Sequence, residues 1–113
     1  MRLEEIARRL GLEAAVAGKG MAAEVTGGYC SDLLSDVMAN AKEGYVWVTI
    51  QTHQNVVAVA GLTSVAGVVI AGGHRPDEET IARAGHEGVT ILLTPMSGFE
   101  VAGRVHALLS QTS

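Results

Sequence analysis

One cysteine, Cys30, is all the sequence contains, and a single thiol closes off any intrachain disulfide or multi-cysteine metal site. A free thiol fits a reducing compartment. Basic charge is also scarce: 8 Lys and Arg against 12 Asp and Glu give a formal net charge of −4. The basic residues are scattered, Arg8-Arg9 being the only adjacent pair. Binders of duplex DNA or of anionic membranes need clustered Lys and Arg to displace counterions, so neither nucleic acid nor a membrane is an expected partner.

A long apolar run is missing too. The stretch 56–70 comes nearest, but Thr63, Ser64 and glycines interrupt it, and a span of the bilayer takes ~20 apolar residues. Arg2, Glu4, Glu5, Arg8 and Arg9 crowd the amino terminus, where a secretory signal would need an unbroken apolar segment. These features together predict a cytoplasmic protein. Catalytic signatures are absent as well. There is no G-x-x-x-x-G-K-[ST] phosphate loop, and Gly18-Lys19-Gly20 is too short to serve as one. Ser97 lacks the G-x-S-x-G turn that exposes a serine nucleophile. His53 and His74 lie on separate segments with no third ligand of their kind nearby, whereas zinc takes three or four. His86 and His106 fall on helix faces. No catalytic residue, metal or cofactor is therefore expected.

What is present is enough apolar residue to fold. Hydrophobic residues make up 48% of the 113 and charged ones 18%, which excludes a disordered chain. The length suits one core, and no repeat, linker or low-complexity run divides it, so the chain reads as a single domain over residues 1–113.

Leu3, Ile6, Ala7 and Leu10 recur at helical spacing before Gly11. A strand is predicted over 12–17 and a second, short one over 23–26, ending at Gly27-Gly28. Ser31 or Asp32 would cap a helix through Leu33, Leu34, Val37, Met38 and Ala41. The run 45–50, Tyr-Val-Trp-Val-Thr-Ile, is aromatic and β-branched and is the clearest strand. A buried helix over 55–62, a strand over 66–71, an amphipathic helix over 77–87 and a strand over 89–93 follow. A final helix carries Phe99, Val101, Ala102, Val105, Leu108 and Leu109 on its apolar side. Strands apolar at nearly every position are covered on both faces. The predicted fold is thus α/β: a three-layer, doubly wound, mostly parallel sheet flanked by helices.

In such sheets ligands sit beyond the carboxyl ends of the strands. Those ends are polar here: Gln51-Thr52-His53-Gln54-Asn55, then Gly72-Gly73-His74-Arg75-Pro76-Asp77, then Thr94-Pro95-Met96-Ser97-Gly98. The following helices would aim free N–H groups at the same edge. Thr52, His53, Asn55, His74, Arg75, Thr94 and Ser97 are accordingly the candidate residues for a small polar or phosphorylated ligand. Helix capping alone would account for Asn55, Asp77 and Ser97. A second candidate surface is the segment Thr26-Gly27-Gly28-Tyr29 with Leu33 and Met38, where glycines permit close backbone approach and Tyr29 could stack on a ligand or a second subunit.

The residues of this segment resemble the DRTGG domain family. The motif stands here as Glu24-Val25-Thr26-Gly27-Gly28, followed by Tyr29-Cys30-Ser31-Asp32-Leu33-Leu34-Ser35-Asp36-Val37-Met38. The likeness continues through Val48-Thr49-Ile50-Gln51-Thr52-His53-Gln54-Asn55 to Thr94-Pro95-Met96-Ser97-Gly98-Phe99-Glu100-Val101-Ala102-Gly103. Glu24-Val25 replaces the Asp-Arg for which the family is named, so the arginine's role is missing. The resemblance implies a regulatory α/β domain, found alone or joined to phosphotransacetylases and nucleotide-sensing pyrophosphatases. It is also similar to the amino-terminal, non-catalytic domain of HPr serine kinases, and it implies use as a dimer contact. It implies no catalytic residues.

The leading expectation is a non-enzymatic module, homodimeric, that senses a small polar ligand or docks on a protein partner. Two alternatives stand beside it: a phosphoryl- or acyl-transfer enzyme with His53 or His74 as general base, and a purely structural interaction domain.

Overall fold

The computed structural model describes residues 1–111. Its elements are α1 (Leu3–Leu10), β1 (Glu13–Val16), a 3-10 turn (Lys19–Ala22), β2 (Gly27–Cys30), α2 (Leu34–Asn40) and β3 (Tyr45–Thr49). They continue with α3 (Asn55–Thr63), β4 (Gly67–Ile70), α4 (Glu78–Glu87), β5 (Ile91–Leu93) and α5 (Gly98–Gln111). The strands form one sheet in the order β1-β5-β4-β3-β2. β2 through β5 are parallel and β1 runs antiparallel to β5 at one edge.

The period-two geometry of strands sorts the apolar residues into two layers. Val46, Val48, Val69 and Leu92 face α1 and α5, meeting Leu3, Ile6, Val101 and Val105. Trp47, Val68, Ile70, Ile91 and Leu93 face the other way, into the layer of Val37, Val56, Val57, Ala60 and Ala84 from α2, α3 and α4. The expected three-layer α/β architecture is therefore present. The parallel strands advance in sequence order, so α2, α3 and α4 share one face, while α1 and α5 supply the opposite layer. Among the described residues, no helix is long and apolar enough to cross a membrane.

Local chemistry explains most boundaries. α1 ends at Gly11, whose φ of +65° is the left-handed conformation that glycine takes without steric cost. α4 begins after Asp77, with Glu78 and Glu79 in its first turn against the positive end of the helix dipole. Four expectations need correction. The strand predicted over 23–26 lies further on, at Gly27–Cys30, because parallel pairing with β3 recruits the glycines themselves; only an isolated bridge joins Glu24 to Arg2. The N-cap of α2 is Leu33, not Ser31 or Asp32. Only Val37 and Ala41 of its predicted face are buried, and Leu33 and Met38 are 65% and 46% exposed. Phe99 lies off the apolar side of α5 and is 92% exposed.

Candidate functional site

The parallel topology brings the segments after β3, β4 and β5 to one edge of the sheet, joined there by the segment after β2. Asp32 holds this edge together. Its carboxylate accepts hydrogen bonds of 2.8 Å from the Thr49 hydroxyl and 2.8 Å from the Ile50 N–H, and its carbonyl accepts one of 2.9 Å from Gln51 Nε2. The buried indole of Trp47 donates to the Ser31 carbonyl at 2.9 Å and pins the same segment from below.

Most of the residues singled out in the sequence have local partners. The Thr52 carbonyl accepts from the Thr80 hydroxyl at 2.7 Å and from the Asp77 N–H at 3.2 Å, which ties the 51–55 segment to α4. His53 Nδ1 accepts the Asn55 N–H at 3.2 Å at the start of α3. The buried Thr94 hydroxyl accepts the Met96 N–H, and the Ser97 hydroxyl accepts the Glu100 N–H, each at 3.2 Å. Ser97 thereby caps the first turn of α5.

The structure brings together three of the seven. His74, Arg75 and Thr94 share a recess of about 230 Å³ with Glu13, Gly73 and Pro95, beside the β1–β5 edge. Arg75 is exposed there and paired with Glu13 at 3.0 Å, and that hydrogen bond and charge raise its already high pKa. A guanidinium held beside an open recess suits an anionic group, to the extent that Glu13 releases it. Thr52 and His53 lie on the β3–α3 connection, Asn55 opens α3 and Ser97 lies on the β5–α5 connection, all outside that recess. Among the described residues, no group of three or more His, Cys, Asp or Glu side chains is placed to hold a metal ion.

A larger concavity, about 750 Å³, runs between β2 and α5. Its sheet wall is Gly27, Gly28, Cys30, Val46 and Val48; its helix wall includes Phe99, Ala102, Gly103 and His106. No Asp, Glu, Lys or Arg is among the lining residues. Thr26, Gly27, Gly28 and Tyr29 line this groove, whereas Leu33 and Met38 lie outside it. The Tyr29 hydroxyl is committed to α2: it donates to both oxygens of Asp36, at 2.9 and 2.8 Å. That bond raises the tyrosine pKa and lowers that of Asp36. The Cys30 thiol is pushed up by partial burial and then by the Asp32 charge, the opposite of a reactive thiolate.

The helix wall was missed in the sequence, although the signal is there. Residues two apart on a helix point ~200° apart, so Phe99 and Val101 cannot share a face. Phe99, Ala102, Gly103 and His106 form a separate stripe at spacings of three and four.

A family model described as the DRTGG domain matches residues 5–108. The chain belongs to the DRTGG domain family. No curated protein matches the sequence. Among solved structures, the chain is similar to the crystal structure of the CBS and DRTGG domains of the regulatory region of Clostridium perfringens pyrophosphatase, complexed with its activator, diadenosine tetraphosphate. The TM-score is 0.74 at 19% identity, over 92% of this chain. The likeness covers 45% of that chain, so at this identity it speaks to the fold.

Proposed function

We propose that this chain is a non-enzymatic regulatory module that senses a small polar or phosphorylated ligand and works as a homodimer, with a protein partner as the other possible occupant of its contact surface. The observation that carries the reading is the placement of the family motif. Thr26 to Cys30 lines a groove along the edge of the sheet that carries no Asp, Glu, Lys or Arg, a surface suited to association. Of the carboxyl-edge side chains, by contrast, His53, Thr94 and Ser97 accept nearby backbone N–H groups and Arg75 pairs with Glu13. His53 Nδ1 is engaged by a backbone N–H, which leaves that nitrogen unavailable as a general base.

The ligand belongs at the carboxyl edge, over Thr52, His53, Asn55, His74, Arg75, Thr94 and Ser97, with Arg75 as its one cationic contact. Support for a nucleotide-like ligand comes from the pyrophosphatase regulatory region, which combines the same type of domain with CBS domains and was captured with a dinucleotide activator. A cytoplasmic setting accords with the free thiol of Cys30. The test has two arms on the same purified chain: calorimetric titration with adenine nucleotides and diadenosine polyphosphates, and sedimentation without ligand. Saturable binding with the compound recovered intact, together with a dimeric mass, is the expected result. Turnover of any compound would replace this reading with an enzymatic one.

A further inference from the structure

Resting on the ligand-sensing reading, we infer that the Arg75 recess takes the terminal phosphate of an organic phosphomonoester, and that Glu13 is a built-in competitor for it. The Glu13 carboxylate holds the guanidinium in the structure; the entering phosphate takes its place and sets Glu13 free.

Donors in the recess outnumber acceptors. Arg75, His74 and Thr94 line it together with Glu13. A guanidinium carries five N–H donors, and Arg75 commits one contact, Nη2 to Glu13 Oε2 at 3.0 Å. The His74 ring, which in either neutral tautomer offers one N–H, makes no hydrogen bond among the described residues. The Thr94 hydroxyl accepts the Met96 N–H, yet its own proton has no acceptor among the described residues. Thr94 is 3% exposed, so little water reaches that proton, and buried polar groups otherwise find partners. Three donor groups thus share one carboxylate. The three oxygens of a phosphate match that set in number better than the two of Glu13.

The pair can open without disturbing the fold. Each residue is the other's sole ion-pair partner among the described residues, and both side chains are exposed. They stand 62 residues apart, so the contact is not a by-product of helical spacing, as the i,i+4 pairs Arg83–Glu87 and Arg104–Glu100 are. Glu13 heads β1, an edge strand bonded to β5 alone, with its backbone opposite Leu93. Rotation of its side chain releases Arg75 and leaves that register in place. An exposed pair of this kind favours the closed state by no more than about fivefold.

The charge of the entering group decides the competition. Glu13 offers a single charge, but it is tethered and always at hand. A phosphomonoester brings roughly −1.5 to −2 at pH 7 and three strong acceptor oxygens. A phosphate inside a diester or polyphosphate chain brings a single charge and two free oxygens, no more than the carboxylate it must displace. The recess therefore selects an end group over a bridging one. Once the phosphate is seated, repulsion between like charges keeps Glu13 away. Occupancy then converts a paired Glu13 into a free carboxylate on the β1 edge, a change of surface charge that a partner could read.

The experiment is calorimetric titration of AMP, inorganic phosphate and diadenosine tetraphosphate into the full chain and into Glu13→Gln, Glu79→Gln and Arg75→Ala. Melting curves establish that each variant folds. Glu79→Gln removes the same charge from the first turn of α4 without touching Arg75. Carbon-detected NMR of the Glu13 carboxyl follows the competitor itself. AMP should bind about three- to tenfold more tightly to Glu13→Gln than to wild type, within about twofold of wild type in Glu79→Gln, and not measurably to Arg75→Ala. Inorganic phosphate and diadenosine tetraphosphate should bind more weakly than AMP. At saturation with AMP, the Glu13 carboxyl resonance should reach the position it has in Arg75→Ala. A pair that only anchors the 72–77 segment would leave AMP binding unchanged or weaker in Glu13→Gln; that result overturns the competitor and keeps ligand sensing. Affinity for inorganic phosphate or diadenosine tetraphosphate equal to that for AMP overturns the phosphomonoester assignment and likewise keeps sensing. Absence of binding by every compound, to wild type and to Glu13→Gln alike, overturns both.

Discussion

The carboxylate of Asp32 accepts a 2.8 Å hydrogen bond from the hydroxyl of Thr49, joining the end of β2 to the end of β3 at the edge proposed for the ligand. Thr49 is 2% exposed, so its hydroxyl has no water to fall back on. Thr49→Val keeps the shape and removes the donor. Urea denaturation should show a loss of roughly 1.5–3 kcal/mol, the net worth of a hydrogen bond to a charged group. Asp32→Ala should cost more than Thr49→Val, since it also removes the acceptor of the Ile50 N–H. Equal stability of both variants with wild type would refute the clamp.

The Tyr29–Asp36 pair sets two pH limits. Asp36 has its pKa lowered by the tyrosine hydroxyl, so its contribution is present above the unfolded value of about 3.9 and is lost as pH falls through the lower folded value. Tyr29 has its pKa raised by Asp36. Its contribution is full below about 10 and is lost as pH rises through the higher folded value. Melting temperature against pH should fall at both ends, and Asp36→Asn should flatten both limbs relative to wild type. A variant profile parallel to that of wild type would count against the pair.

Two glycines should respond in opposite directions. A Cβ at Gly20 would run into the Ala66 carbonyl, and the Gly20 N–H is bonded to the Thr90 hydroxyl at 3.0 Å. Gly20→Ala must therefore displace the turn from the sheet and destabilise. Gly85 stands in α4 with nothing within 4 Å of an added Cβ. Gly85→Ala should stabilise by about 0.5–1 kcal/mol through helix propensity. Chemical denaturation of the two variants checks the pair.

Trp47 is the sole tryptophan and fully buried. Its emission should shift to the red on unfolding and report the global transition. Trp47→Phe removes the donor to the Ser31 carbonyl and leaves a void; a loss of about 2 kcal/mol or more is expected from the unmade bond and the cavity together. A variant as stable as wild type would mean that the indole does not pin the β2–α2 segment.

β3, β4 and β5 were legible because a parallel strand covered on both faces needs apolar residues at every position, and 46–48, 67–70 and 91–93 supply them. β2 was not. Gly27-Gly28 reads as punctuation in the sequence, yet a Cβ at Gly27 would lie 2.7 Å from the Tyr45 ring; the glycine serves pairing with β3, a tertiary demand without a local signature. The seven carboxyl-edge candidates gather at one edge because parallel strands leave no alternative. Which of them face open space depends on side-chain partners such as Glu13 for Arg75, 62 residues away. The groove was half legible: its strand wall carries the motif, while its helix wall was obscured by grouping Phe99 with Val101.

The most direct test of the sensing reading is calorimetric titration of the chain with diadenosine tetraphosphate and the adenine mononucleotides, each recovered and assayed afterwards. At least one is expected to bind saturably and remain unchanged. At a hundredfold excess over its dissociation constant, that compound should stabilise the fold by about 2.7 kcal/mol and raise the melting temperature by roughly 10 °C, and Arg75→Ala should abolish both effects. Chemical conversion of a bound compound, or the absence of heat and of any melting shift across the whole set, would contradict it.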